Sequence, residues 1–427
     1  MKYNIMLPVI IILTLIFLLP VTVPVYCTAD EVVWPVKCYE GDDLQKVREW
    51  EKTWAGKRID INNVAGVKEF LLDTYYEMFT DPSWGGDYWF EILPYTQTLP
   101  SPGDVALTKK YAPQCKVGEN DQLLNYVSGY PFPNPKSAIE IAYNFNNINS
   151  GDTMWSLTHA WLIDGRRKYN RSMILDGRIM WFSGRREVAP VPEMQPNTKN
   201  IYRASHSEYV APASLKGNHS MSINWKDRTK PWASWSFASA TRRVTRRSTA
   251  QRQSSLGGTD VIYNDDWGYS WAIPANTYKM LGRKELLACR HQDIDQLVKE
   301  GREGYCLQSG MQRERINVYV IEAQWKEPGY IYSKDVWYMD PETWWILFSE
   351  KYDKRGKYWK YLEIANYLIE MENNGPKIPH MGYQGVIDVQ RKHATATPAA
   401  NVKLGATGKP YWVPEYFEPR ALLKHGY

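Results

Sequence analysis

Five arginines fall within eleven residues: Arg242, Arg243, Arg246, Arg247 and Arg252. Guanidinium forks match the oxygens of phosphate and carboxylate, so this segment has the chemistry to hold an anionic group. Read as a strand, Arg243, Thr245 and Arg247 share one side, and Arg242, Val244 and Arg246 share the other. An aromatic strand carrying Trp232, Trp235 and Phe237 precedes it; the turn Gly257-Gly258 and the carboxylates Asp260, Asp265 and Asp266 follow it. An apolar patch beside a basic rim suits a molecule with an apolar body and an anionic head. Two readings stay open: the arginines contact such a head group, or they pair with the three aspartates and order a loop. Clustered hard oxygen ligands are also what calcium needs, but their spacing here matches no calcium loop.

Other chemistry is sparse. There is no HExxH and no GxSxG, and the seven histidines show no metal-ligand spacing. No catalytic residue, metal or cofactor is assigned, and the chain reads as a binding protein and not an enzyme. The 19 tryptophans and 30 tyrosines pair apolar area with a polar tip, which serves ligand-facing walls as well as cores. Trp325, Trp337 and Trp345 fall on or beside expected strands and join Trp232, Trp235 and Phe237 as candidates to line a ligand site. A net charge of +5 is too mild to imply nucleic acid.

The N-terminus reads as a signal peptide over residues 1–29. Lys2 is followed by the apolar run Leu7–Leu19, then Pro20 and Pro24, then the small-residue site Cys27-Thr28-Ala29. The run is also near spanning length, so an uncleaved anchor is the alternative. An exported chain meets an oxidising compartment. The even set Cys38, Cys115, Cys289 and Cys306 then suggests two disulfides, and sequence proximity favours Cys38–Cys115 and Cys289–Cys306. The shorter loop would contribute about 3 kcal/mol. Four buried thiols are the other reading.

Three segments follow the signal. Residues 30–135 read as an N-terminal wrapping segment. Asp42 and Asp43 start a helix reaching Trp54, a second helix fits Val64–Phe79, and an aromatic, proline-rich stretch begins at Trp84. Residues 136–372 carry the strand signal, after a short helix capped by Ser137. Asp164-Gly165 and Asp176-Gly177 read as hairpin turns. Ile316–Trp325, Val336–Met339, Trp344–Tyr352 and Lys357–Tyr367 read as an antiparallel meander turned by Asp340-Pro341-Glu342-Thr343 and Asp353-Lys354-Arg355-Gly356. Residues 373–427 read as an extended arm. The expected fold is mainly β (α+β): a curved antiparallel sheet whose inner face needs an apolar cover, part of which a ligand could supply.

Several of these pieces resemble a known group. WSFASATRRVTRR (Trp235–Arg247), STAQR (Ser248–Arg252), GGTDVIYNDDWGY (Gly257–Tyr269), YKMLGRKEL (Tyr278–Leu286), Ile316–Lys360 and LLNYVSGYPFPNP (Leu123–Pro135) are similar, in that order along the chain, to exported proteins described as predicted outer-membrane lipoprotein-sorting proteins, including a longer subfamily of unknown function. Ser239 and Ala240 stand where members often carry proline before the double arginine. The resemblance implies a Lol-carrier-like incomplete barrel with helices closing its mouth, in the periplasm of a Gram-negative bacterium. It also implies a lipid or other hydrophobic ligand, and work beside a resistance-nodulation-division type permease or an outer-membrane protein. A carbohydrate-binding or carbohydrate-cleaving envelope protein and a structural subunit of an envelope complex are the alternatives.

Overall fold

The computed structural model describes residues 36–84, 88–164, 169–300 and 306–425. The signal peptide expected over residues 1–29 lies outside the described residues. The short strands Arg58–Ile59 (β1), Phe90–Ile92 (β2), Lys116–Val117 (β3) and Leu123–Leu124 (β4) come first. One run of strands follows: Thr153–Ile163 (β5), Tyr169–Trp181 (β6), Ile201–Ala211 (β7), His219–Trp225 (β8), Ala233–Ala238 (β9) and Arg243–Arg246 (β10). A second run comprises Asn276–Ala288 (β11), Met311–Trp325 (β12), Tyr332–Met339 (β13), Ile346–Asp353 (β14), Tyr358–Glu370 (β15), Lys377–Asp388 (β16) and His393–Leu404 (β17). The helices are Gly41–Trp54 (α1), Asp73–Thr80 (α2), Pro102–Tyr111 (α3), Ala138–Asn146 (α4), Ile294–Glu300 (α5) and Ala421–His425 (α6).

All strands but β3 and β4 belong to one sheet. From β10 its neighbours run back to β5, cross to β17, and continue down to β12, which pairs β11 along its length and β2 at its first residues. Pairing is antiparallel throughout except between β2 and β12. The path does not close on itself, so the fold is mainly β with a large curved antiparallel sheet and no closed barrel.

Register shows what covers each face, because residues directly opposite on neighbouring strands point the same way. Trp337, Ser349, Leu362, Val386 and Thr395 are successive partners across β13 to β17. Trp337 packs on Phe145 of α4, with ring centroids 6.1 Å apart. So α4 fills the concave face at the β12–β14 end. The opposite face of that half is covered by the N-terminal segment: Val47, Val67, Phe70 and Tyr75 cluster with Ile316, Val318 and Tyr361. Each such large apolar side chain contributes about 1.5–3 kcal/mol on burial. The turn Asp340–Thr343 clamps this segment. Asp340 Oδ1 accepts from the Glu342 amide at 2.9 Å, and the buried Glu342 accepts from the Cys38 and Thr98 amides. Arg290 joins both acids from within the core, its Nε 2.9 Å from Asp340 Oδ2.

Several expectations are corrected. Asp176-Gly177 is not a turn; β6 runs straight through it, paired on both sides. The helix expected over Val64–Phe79 breaks at Leu71 and Leu72, which are extended, leaving a 3-10 helix at Val64–Phe70 before α2. The segment read as an arm supplies β16 and β17, which lie inside the sheet; beyond them, Tyr416, Phe417 and Leu422 pack against β7, β8 and β9. Neither disulfide forms. Cys38 lies beside Asp340 and Arg290, Cys115 beside the Tyr111 carbonyl, Cys289 beside the Met311 sulfur at 3.5 Å, and Cys306 beside the Lys392 carbonyl. The fold sends the expected partners to different neighbours, and burial pushes the Cys289 thiol up to about 12.

Candidate functional site

The concave face is left open over β5–β9, β16 and β17, where residues 247–271 arch across it. Between sheet and loop lies a cavity of about 310 Å³, at the small end of the roughly 300–1,000 Å³ usual for small-molecule sites.

The floor of this cavity is graded along the strands. One cross-strand row holds Trp181, Arg203 and Asn224. The next holds Met154, Ile179, Ser205, Ser222 and Ser234. The third holds Ser156, Gly177, Ser207, Ser220, Ser236 and Thr245. Beyond it come Leu175 and Tyr209, then Ala160 and Met173. Period-two alternation produces the rows: the S-x-S repeats in β7, β8 and β9 put both serines of each strand on one face. The Ser205 and Ser222 hydroxyls bond to each other at 2.7 Å. Gly177 leaves a gap in the third row; a Cβ there would lie 3.4 Å from Ser156 Oγ and 3.5 Å from Ser207 Oγ.

Three guanidiniums and one carboxylate line the cavity: Arg203, Arg247, Arg252 and Asp266. Arg203 Cζ sits 5.8, 5.6 and 5.8 Å from the rings of Trp181, Trp232 and Trp267. Among the described residues it makes no side-chain hydrogen bond or ion pair, and burial, with Arg228 nearby, lowers its affinity for its proton. Arg247 bonds the Tyr263 hydroxyl, and Arg252 pairs with Glu327 and lies 4.8 Å over Trp271. Asp266 lies deep in the fold yet is an exposed residue, and the surface it exposes lines the cavity. Burial raises its carboxyl to about 6, against the pull of Arg203. His380 borders the same space with its Nδ1 3.0 Å from the Met381 carbonyl oxygen, and burial lowers it to about 4, so it is neutral at pH 7.

The other two aspartates of the loop hold it down. Asp260 Oδ1 meets His393 Nδ1 of β17 at 2.6 Å, Asp260 N donates to Thr395 Oγ1 at 2.8 Å, and Lys360 Nζ donates to the Asp260 carbonyl at 2.6 Å. Asp265 takes Lys351 Nζ at 3.2 Å and the Tyr332 hydroxyl at 2.7 Å. The three aspartates therefore diverge. They neither pair with the arginine segment nor converge on one point as calcium ligands would. Asp260, Asp388 and His393 do approach one another, but Asp388 already accepts from the Trp359 indole and His393 is bound to Asp260.

The proposed site residues separate accordingly. Trp232, Trp235 and Arg247 line the cavity. Phe237 shares with Trp235 the face of β9 opposite Ser234 and Ser236, and is buried against Leu422. Arg242, Arg243 and Arg246 are exposed on the β10 ribbon, and Arg242 occupies its turn at φ 53°. Trp325 stacks on Tyr330 at 3.6 Å, while Trp337 and Trp345 are fully buried core residues. Trp345 backs onto Trp267 at 5.7 Å. Arg203, Trp267, Trp271 and the serine rows were not singled out by the sequence reading. The S-x-S repeats were the signal that could have found the rows.

A crystal structure described as an outer membrane lipoprotein-sorting protein domain, from Vibrio parahaemolyticus, is similar with 14% identity and a TM-score of 0.47, covering 67% of this chain and 98% of its own. A DUF1329 family protein from Desulfovibrio piger is similar with 15% identity and a TM-score of 0.47, covering 66% and 96%. A LolA superfamily protein from Nitrosomonas europaea is similar with 11% identity and a TM-score of 0.39, covering 66% and 100%. Among curated proteins none matches the chain. The family described as protein of unknown function (DUF1329) matches residues 58–422, which take in every piece carrying the resemblance. The chain belongs to the DUF1329 family.

Proposed function

We propose that the protein is a periplasmic carrier, or an accessory to one, that holds a lipid or other hydrophobic molecule in the cavity beneath residues 247–271. The carrying observation is the cavity itself. The strands could have been packed shut by large side chains, as α4 and Trp337 do at the other end; instead the floor bears serine, glycine, alanine and methionine. No helix among the described residues is long and apolar enough to cross a membrane. In this reading residues 1–29 direct export, and the exposed arginines of β10 meet a partner in an envelope transport system.

Native mass spectrometry of the protein purified from the periplasm tests this. A bound mass that organic extraction removes, and that identifies as a lipid or other apolar compound, is expected. A clean apo mass together with sugar-dependent tryptophan fluorescence would move the assignment to a carbohydrate-binding protein.

A further inference from the structure

The cavity has a polarity along its length. Arg203 and Tyr209 lie six residues apart on one strand, about 20 Å at the rise of an extended chain. Along this stretch the floor passes from a guanidinium, through two rows of hydroxyls, to Leu175, and past Tyr209 it continues to Met173 and Ala160. Behind the charged end is a second cavity of about 30 Å³, bordered by Asn224, Arg228 and Ser150 and sharing Arg203, Trp232 and Trp267 with the first. Arg228 is held by Asn146 Oδ1 at 3.0 Å and lies 3.2 Å from the centre of the Tyr202 ring. Two guanidiniums thus approach one small polar space.

Arg203 is the informative one. Burying a guanidinium without a carboxylate or carbonyl acceptor is costly, and folds ordinarily supply one. Here three tryptophan faces hold the cation instead, leaving its N–H groups unspent on protein. Asp266 attracts Arg203 through its charge, without a hydrogen bond between them.

We propose that Arg203 anchors an oxyanion, the carboxylate or phosphate head of an amphipathic ligand, whose neighbouring oxygens lie on the serine rows and whose apolar chain runs toward Leu175 and Met173. This rests on the carrier reading and specifies its ligand class. It also places the head group inside the cavity, on a residue of β7, and not on the exposed arginine ribbon.

The test is tryptophan fluorescence, since Trp181, Trp232 and Trp267 surround the anchor. The probes are laurate, dodecyl phosphate and methyl laurate, each below its micelle-forming concentration. Laurate and dodecyl phosphate should bind at least tenfold more tightly than the ester. R203Q should erase that difference while leaving ester affinity within threefold, which also shows that the variant folds. R203K should keep part of the difference, and R243Q all of it. Equal affinity for the three probes, or discrimination that survives in R203Q, overturns the proposal and leaves the carrier reading standing. Binding of none of them removes both. Inorganic phosphate alone giving the same response, lost in R203Q, would make the site one for a free anion and overturn the amphipathic ligand.

Discussion

Asp260 of the covering loop and His393 of β17 form an ion pair of 2.6 Å that fastens the loop to the sheet beside the cavity. The hydrogen bond that His393 donates to Asp260 raises its imidazole above the ordinary range, with burial opposing. The protonated form is therefore the one the fold favours. Its contribution is complete below about pH 6.5 and is lost as pH rises through the raised value. Hydrogen exchange over residues 256–262, corrected for intrinsic rates, should be more protected at pH 6 than at pH 9. H393Q should remove that difference. Equal protection at both pH values in the native chain would discard the latch.

Gly177 interrupts the third row of hydroxyls where any larger residue must project into the cavity. Its backbone needs no left-handed conformation, and a Cβ makes only ordinary contacts. G177L should leave stability within about 1 kcal/mol and lower affinity for the bound molecule at least tenfold. Urea denaturation and ligand titration of one preparation separate the two effects. A leucine accepted with unchanged affinity would put the ligand elsewhere.

Arg290 ties the N-terminal segment to the β13–β14 turn through Asp340, Glu342 and Thr98 Oγ1, the last at 2.7 Å. R290M would strand two buried carboxylates and should cost about 3–5 kcal/mol. The urea midpoint should drop accordingly, whereas the exposed-ribbon variant R246Q should move it by no more than about 0.5 kcal/mol.

His380 is held neutral by burial, lowered to about 4. The unfolded chain takes up a proton near pH 6.5 and the folded chain does not, so stability falls between those values as pH drops. About 2.5 units of separation amount to roughly 3 kcal/mol at pH 4. Comparing denaturation of the native chain and H380Q from pH 7 to pH 4 isolates the effect, because the variant should lack that part of the slope. Parallel curves would contradict it.

Much of the second strand run was legible. DPET and DKRG are strong turn signals between β-branched and aromatic runs, and β12 to β15 follow them closely. β16 and β17 were not, because Pro379, Gly382, Gly385 and Pro398 argue against central strands. The fold accommodates Gly382 under Ile294, whose Cδ1 would lie 2.0 Å from a Cβ at that position. The cavity was half legible. Trp232, Trp235 and Arg247 were found because aromatic and basic residues draw the eye; Phe237 shares a face with Trp235 but meets Leu422, a residue far away in sequence. Arg203 looks like any strand arginine until the register sets it beside Trp181, and the rings of Trp232 and Trp267 reach it only through the arching loop.

The seam between β17 and β5 has a consequence for how the molecule is made. Thr153 bonds the Ala406 carbonyl across 253 residues of sequence, and the strands beside it pair over their whole length. Until β17 emerges, β5 has one bare edge, open to any strand that meets it. Closing this seam must therefore wait for a strand far downstream, and joining such distant segments is slow. A chaperone that shields that edge should raise the yield of native protein more than one that acts on the helices.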